Sequence, residues 1–251
     1  MENNTNTKEF YDEFSSRVLL QDFTTRNLRH VEIKNLCKQY VNKKTKVLEV
    51  GCGVGIITKY LSKKASKVIS LDISPVNIEV AKKFNNSRNV EFHILDICTD
   101  GNILKKYAPF DIIIMPDVIE HISKDKYSYI FNLFTEILIE DDGKVLLTYP
   151  SASYQNFLKE HQPSSLQLID ETIEIEELLS STSLRPLYYK LIDVWLVDQY
   201  VHLVLGFEKK FSNMHPSTTY ANKIYRKFLS YSWFLSNFLF KKKINATQGK
   251  R

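Results

Sequence analysis

Val47-Leu48-Glu49-Val50-Gly51-Cys52-Gly53-Val54-Gly55-Ile56-Ile57 holds three of the chain's seven glycines within five residues. An apolar run precedes them and a run of helical period follows, so they read as the turn between a strand and a helix. Glycine suits that turn because the backbone bends tightly there and a ligand can approach with no Cβ in its way. The start of the next helix offers unpaired N–H groups and a partial positive charge, suited to a carboxylate or phosphate. A dinucleotide fingerprint, G-x-G-x-x-G, requires glycine at 56, where this chain has Ile56.

Outward from the loop, short Val/Ile/Leu-rich runs recur at Lys46–Val50, Val68–Leu71, Val90–Leu95, Asp111–Met115 and Lys144–Tyr149. They predict buried parallel strands. Helical stretches separate them at Ile56–Lys64, Pro75–Phe84 and Lys124–Ile139, with Pro75 at a first helical turn and Asp142-Gly143 marking a turn before the fifth strand. Strands alternating with helices imply right-handed βαβ crossovers and a sheet covered on both faces. After Pro150 an irregular stretch is expected, then a short helix at Ile175–Ser181 and strands at Leu187–Val194 and Tyr200–Phe207, the second running antiparallel. The expected fold is α/β: a Rossmann-like, doubly wound, seven-stranded, mostly parallel sheet with an antiparallel last strand. Helices at Phe10–Leu20 and Leu28–Tyr40 would form a lid over it. The divisions are 1–43 for the lid, 44–208 for the α/β domain and 209–251 for a C-terminal extension.

Two further strand ends carry acids. Val68-Ile-Ser-Leu-Asp72 ends about 20 residues after the glycines, where a carboxylate can accept both hydroxyls of a ribose. Val90-Glu-Phe-His-Ile-Leu-Asp96-Ile97 ends the third strand. Taken singly, Asp72 also suits a helix cap and Asp96 a turn. Together with Glu-x-Gly-x-Gly-x-Gly, they resemble the class I S-adenosylmethionine-dependent methyltransferases over roughly 44–150. The resemblance implies that 44–208 binds S-adenosylmethionine. It implies further that Asp96 meets the adenine amino group, with Ile97 against the ring. Glu49, Gly51, Gly53, Gly55, Asp72, Ile73, Asp96, Ile97, Met115 and Pro116 are the cofactor residues expected in this domain.

The fourth strand ends in Met115-Pro116-Asp117-Val118-Ile119-Glu120-His121, which resembles the D-x-x-E-H element of many small-molecule methyltransferases. It lacks Asn/Asp-Pro-Pro-Tyr/Phe, the signature for exocyclic amines of DNA bases or glutamine. No Pro-Cys nucleophile occurs, which excludes cytosine C5 chemistry. His121 is the leading candidate base, an imidazole being suited to proton removal near neutral pH; the alternative is that Glu120 and His121 only hold the loop. On a helix, Asp117, Glu120 and His121 would share a face, and the ubiquinone-pathway O-methyltransferases carry a metal on a related acid-x-x-Glu-His set. Here Asp stands for the first acid, with shorter reach, and no metal is assigned. His161 is the rival base. Phe10–Phe23, which resembles the lid of bacterial sugar and secondary-metabolite methyltransferases, adds Tyr11 and Arg17 to the expected cofactor contacts. Tyr149–Asp170 resembles the acceptor loop of enzymes from polysaccharide clusters. The expected function is methylation of a hydroxyl on a sugar, glycolipid or other small metabolite. A quinone-like or other secondary metabolite is the second acceptor class. The rival from outside the enzymes is a protein that holds the cofactor and regulates a partner through its tail.

Charge and composition bound the rest. The 251 residues are 43% hydrophobic and 25% charged, a globular profile. Cys37, Cys52 and Cys98 are few, odd in number and far apart, which argues against a disulfide framework or zinc cluster and fits a reducing cytoplasm. The first residues are polar with no apolar signal core, and no run approaches the roughly 20 apolar residues of a membrane span. Ten of the 34 Lys and Arg fall within 209–251, where there is no Asp or Glu; the remaining chain carries 24 basic against 29 acidic residues. Within 220–243, eight of twenty-four residues are aromatic, Trp233 among them, and three lysines close the segment. That composition suits a helix lying on an anionic membrane surface. A helix packed on the protein is the plain alternative. Nucleic acid ranks below both, since the acidic body continues no basic groove. The expected location is cytoplasmic with peripheral membrane attachment, and the expected partner a small-molecule or lipid-linked sugar acceptor.

Overall fold

The computed structural model describes residues 27–163, 166–167 and 169–207. Tyr11, Arg17, the predicted helix at Phe10–Leu20 and the basic extension 209–251 lie outside the described residues. Among those described, the first element is α1 (Leu28–Tyr40), where the Asn27 side chain accepts from the Arg29 backbone N–H at 3.0 Å. Then come β1 (Lys46–Val50), α2 (Ile56–Ser62), β2 (Lys67–Asp72), α3 (Pro75–Phe84), β3 (Val90–Ile94), the one-turn α4 (Ile97–Asp100) and β4 (Phe110–Pro116). A 3-10 turn at Ile119–His121 leads to α5 (Tyr127–Leu133), β5 (Ile139–Pro150), α6 (Ala152–His161), α7 (Ile175–Ser180), β6 (Arg185–Ile192) and β7 (Tyr200–Gly206).

The seven strands form one sheet in the order β3-β2-β1-β4-β5-β7-β6. Strands β1 to β5 pair in parallel, while β7 lies antiparallel between β5 and β6. A short link, 193–199, joins β6 to β7, and short connections make antiparallel neighbours. Period-2 alternation divides the core between the two faces. Leu48, Val50, Ile69, Leu71, Ile113, Met115, Leu147 and Leu203 pack with Phe131 and Phe134 on one face. Val47, Val68, Ile112, Ile114, Leu146 and Val204 pack with Ile33 and Leu36 of α1 and Ile57 and Leu61 of α2 on the other. Each fully buried aliphatic side chain contributes about 1.5–3 kcal/mol, so both faces are needed to hold the central strands. Among the described residues, no helix is long and apolar enough to cross a membrane.

The sheet follows the pattern expected from sequence, with local differences: α1, expected as part of a lid, buries Ile33, Leu36 and Cys37 on one sheet face, and Asp142-Gly143, expected as a turn before β5, lies within that strand. Residues 152–161 form a helix where an irregular stretch is expected: the Ser151 hydroxyl accepts from the Tyr154 N–H at 3.3 Å and starts α6. The predicted helix Lys124–Ile139 begins as a 3-10 turn at Lys124–Lys126 and ends as a π turn at Phe134–Leu138, and β5 starts at Ile139. Strand order reverses between β1 and β4, and the crevice at the carboxyl ends of these strands is where open α/β sheets bind ligands.

Candidate active site

The glycine loop closes β1 against the tips of β2 and β4. Gly51, Gly53 and Gly55 all have positive φ, at +73°, +51° and +84°. Each serves a different purpose. A Cβ on Gly51 would stand 2.2 Å from Val118 Cγ2, so glycine here allows the loop and the β4 tip to touch. A Cβ on Gly53 would meet nothing within 4 Å and would project into open space. Gly55 starts α2 and lies against Ala81 of α3, whose Cβ would be 3.1 Å from an added one. It is thus a helix-packing position and does not line the cavity, where the sequence placed it among the cofactor residues.

A cavity of about 800 Å³ opens at this crevice, lined by Glu49, Gly51, Gly53, Asp72, Ile73, Asp96, Ile97 and Pro116 among others. Its size falls in the roughly 300–1,000 Å³ range of small-molecule sites. The tip of β2 splints the loop: Asp72 Oδ2 accepts from the Gly53 N–H at 2.8 Å. Its Oδ1 accepts from the Ser74 N–H at 2.9 Å and from Asn77 Nδ2 at 3.1 Å. Asp96 accepts from the Cys98 N–H at 2.8 Å and thereby caps α4 while facing the same cavity. The capping role and the ligand-facing position therefore coexist in Asp96, whereas α3 is capped by Ser74 and Asp72 braces the loop while lining the cavity.

Glu49 is fully buried beneath the loop. Its Oε2 accepts from Thr58 Oγ1 at 2.6 Å and Ser70 Oγ at 2.7 Å, while Oε1 is buried without a hydrogen-bond partner. Burial, opposed by the two hydroxyl donors and aided by Asp72, pushes its carboxyl up to about 7. Met115 departs from expectation. Its side chain is fully buried in the core with Ile113, because alternation along β4 turns it away from the cavity. The wall at this strand end comes instead from Pro116, Asp117 and Val118.

The segment after β4 is folded tightly. Asp117 has φ +54°, accepts from Thr148 Oγ1 at 2.7 Å and forms an ion pair with Arg29, Nε lying 3.0 Å from Oδ2. Arg29 Nη1 also donates to the Tyr200 hydroxyl at 3.3 Å, so α1, β4, β5 and β7 meet at one polar junction. Glu120 and His121 follow in a 3-10 turn. Asp117, Glu120 and His121 therefore do not share a helical face, because the chain does not enter an α-helix there. Among the described residues, no three His, Cys, Asp or Glu side chains gather to hold a metal ion.

His121 lines the cavity, with Nδ1 at 2.9 Å from the Ile169 carbonyl and 3.4 Å from Asp170 Oδ1. A carbonyl only accepts, so Nδ1 carries the proton and Nε2 is the basic nitrogen. Burial holds the imidazole below its usual value, against the Ile169 carbonyl and Asp170, which raise it. Burial also keeps the Glu120 carboxyl well above the usual range, with Asp117 adding to the effect. His161, the rival base, is corrected: it is an exposed residue at the end of α6, stacked on Phe157 with ring centroids 4.6 Å apart, and it is no part of the cavity wall. The acceptor side of the cavity is built by Tyr154, Gln155 and Leu158 of α6, then Leu166, Gln167, Ile169 and Asp170.

Some of these contributors had a sequence signal. Ser151 ahead of Tyr154, Phe157 and Leu158 is a helix cap followed by helical spacing. Arg29, Thr148 and Tyr200 had none, since their meeting depends on strand order.

The acid-bearing strand tips, the glycine cradle and strands β1 to β5 of the sheet fall in the part of the chain, residues 14–191, that matches the sequence family described as "Methyltransferase domain". The chain belongs to this methyltransferase family. S-adenosylmethionine is the family's cofactor, and the cavity fits it by two observations: the open space at Gly53 and the partnerless buried Oε1 of Glu49. Over 129 residues the methyltransferase is 33% identical to a ubiquinone biosynthesis O-methyltransferase of Coxiella burnetii, a match covering 51% of this chain and 53% of that protein. Over 167 residues it is 28% identical to a malonyl-[acyl-carrier protein] O-methyltransferase of Bacillus anthracis, covering 65% and 57%. The matches thus span little more than half the length of these curated relatives. In fold it is similar to the magnesium protoporphyrin IX methyltransferase of Synechocystis PCC 6803 with bound S-adenosylhomocysteine, at TM-score 0.62 and 13% identity over 82% of this chain and 99% of that one. It is also similar to a TehB-like methyltransferase of Corynebacterium glutamicum, at TM-score 0.58 and 16% identity over 79% and 98%.

Proposed function

We propose that this methyltransferase moves the methyl group of S-adenosylmethionine to a hydroxyl of a small acceptor, with His121 as general base. The observation that carries the proposal is the His121 geometry: Nδ1 is committed to the Ile169 carbonyl, so Nε2 is the nitrogen able to take a proton in the same cavity as the glycine loop. The cofactor supplies an already activated methyl on a sulfonium. Glu49, Gly51, Gly53, Asp72 and Asp96, with Ile73, Ile97 and Pro116, would hold it. The protein's work is alignment and exclusion of water. With the cofactor bound, the acceptor oxygen would take its methyl group, the S–CH₃ pair staying on sulfur, and His121 Nε2 would take the hydroxyl proton.

A sugar or lipid-linked sugar is the acceptor this proposal takes first. Its support is the wall of Tyr154, Gln155, Gln162 and Gln167, the last with a buried, partnerless Oε1, a set of groups suited to hydroxyls. A quinone-like phenol is the second reading, favoured by the likeness to ubiquinone biosynthesis O-methyltransferases. Attachment of 220–243 to an anionic membrane, at the cytoplasmic side, belongs to the same proposal and rests on sequence; nucleic acid is not a proposed partner. Transfer of radiolabelled methyl from S-adenosylmethionine to a panel of sugars, lipid-linked sugars and catechols tests the acceptor. Label in none of them, with tight cofactor binding, would favour a regulatory binding protein. Equal flotation with anionic liposomes of the full chain and of 1–208 would end the membrane proposal.

A further inference from the structure

We propose that Asp170 is a positioning residue for His121: the Ile169 carbonyl holds the Nδ1 proton, and the Asp170 carboxylate beside it stabilises the imidazolium formed when Nε2 takes a proton. This rests on His121 acting as the base, and it adds a residue 49 positions away in sequence that the strand-end motifs do not include.

The geometry is a three-part relay. His121 Nδ1 lies 3.4 Å from Asp170 Oδ1 and 2.9 Å from the neighbouring Ile169 carbonyl. Asp170 is itself oriented from two sides: Gln155 Nε2 donates to Oδ1 at 3.0 Å, and the Gln167 backbone N–H donates to Oδ2. Gln155 is almost fully buried, and its backbone N–H is fixed at 2.8 Å from the Ser151 carbonyl in the first turn of α6. On the other side of the ring, the Glu171 N–H donates to the Glu120 carbonyl at 2.8 Å, tying the 169–171 segment to the turn that bears His121. The Ile169 carbonyl fixes the tautomer, and the Asp170 carboxylate places negative charge beside the same nitrogen.

The charges around the ring point to Asp170 as the group that matters at Nδ1. Asp117, from the β4 tip, is engaged by Arg29 of α1 at 3.0 Å and by Thr148 at 2.7 Å. Glu120 places Oε1 3.9 Å from Nε2, and burial, with Asp117 beside it, raises this carboxyl well above the usual carboxylate range. Asp170 is engaged only by uncharged N–H donors in the contacts above, so its negative charge remains to balance a proton taken up at Nε2. The proton enters at Nε2, the Nδ1 proton stays where it is, and no proton moves to Asp170.

The test is a pH titration of the full chain labelled with ¹⁵N-histidine and saturated with S-adenosylhomocysteine, followed by long-range ¹H–¹⁵N spectra. The wild type should show His121 as the Nδ1-protonated tautomer. Removing a negative charge this near should lower the His121 pKa by about one pH unit in Asp170→Asn, a roughly tenfold change in the protonated-to-neutral ratio at a given pH. Asp170→Glu should bring it back. A role confined to packing would not move the titration. Wild-type His121 protonated on Nε2, or an unmoved midpoint in Asp170→Asn, would overturn the inference. Should Asp170→Asn not fold, the wild-type tautomer and the same titration in Gln155→Leu decide it. The two proposals fail separately: undiminished turnover in His121→Ala removes the base, whereas a normal titration in Asp170→Asn removes only the relay.

Discussion

Alanine at Gly51 and at Gly53 should damage this protein in opposite ways. Both positions have positive φ, so alanine at either incurs the left-handed penalty of about 1–2 kcal/mol, partly offset by a stiffer unfolded chain. At Gly53 nothing else is added, because the new Cβ meets no atom within 4 Å. A net loss of about 1 kcal/mol is expected. At Gly51 the Cβ would stand 2.2 Å from Val118 Cγ2. Valine has little freedom to rotate away, and overpacking of this kind costs about 1–3 kcal/mol more. The Gly51→Ala total is therefore about 2–4 kcal/mol, or roughly 10 °C in melting temperature for a chain of this size. The strain would also reach the turn that bears His121, whose N–H donates to the Val118 carbonyl at 2.9 Å. Affinity separates the two differently. Gly53→Ala puts a methyl into the open cradle and should weaken S-adenosylhomocysteine binding at least about tenfold, or 1.4 kcal/mol. Thermal melts and titration calorimetry on both variants read the two effects independently. If Gly53→Ala binds S-adenosylhomocysteine like the wild type, the loop does not cradle the ligand. If Gly51→Ala is as stable as Gly53→Ala, the close approach to Val118 is not a real constraint.

Three further outcomes are expected. Asp72→Ala should weaken binding of S-adenosylhomocysteine by about 1–3 kcal/mol, the cost of unpaired hydroxyls, and calorimetry showing unchanged affinity would refute the ribose assignment. His121→Ala should lower kcat by about 10²-fold or more with cofactor affinity retained. Because burial lowers the imidazole pKa, the base is already neutral at neutral pH; kcat/KM should be flat there and fall only below the ordinary imidazole value of 6.5. A limb above 6.5 would contradict the environment described. The Glu49 carboxyl is raised from 4.5 to about 7, so stability is fully present below 4.5 and is lost as pH rises through 7. Glu49→Gln should flatten that dependence, removing an effect on the order of 3 kcal/mol, and an unchanged denaturation profile between pH 4.5 and 8 would show that Glu49 ionises normally.

Local order along the chain was enough for the sheet and the cofactor end of the site. Val47–Val50, the glycines and the acids at Asp72 and Asp96 are read directly, because strand, turn and strand tip are adjacent in sequence and parallel pairing then brings the tips to one edge. Even so, period-2 alternation in β4 sends Met115 into the core, and Gly55 packs against Ala81; which wall a residue faces depends on its neighbours in space. The acceptor end depended on tertiary structure almost entirely. Arg29, Asp117, Thr148 and Tyr200 lie on four elements joined only by the sheet order, and His121 meets Ile169 and Asp170 across nearly fifty residues. A hydrogen bond depends on angstrom-scale placement, which sequence spacing sets only within one helix or strand. The sequence by itself therefore determined the fold and the cofactor class. Packing decided that His121 and not His161 lines the cavity, and which of its nitrogens is basic.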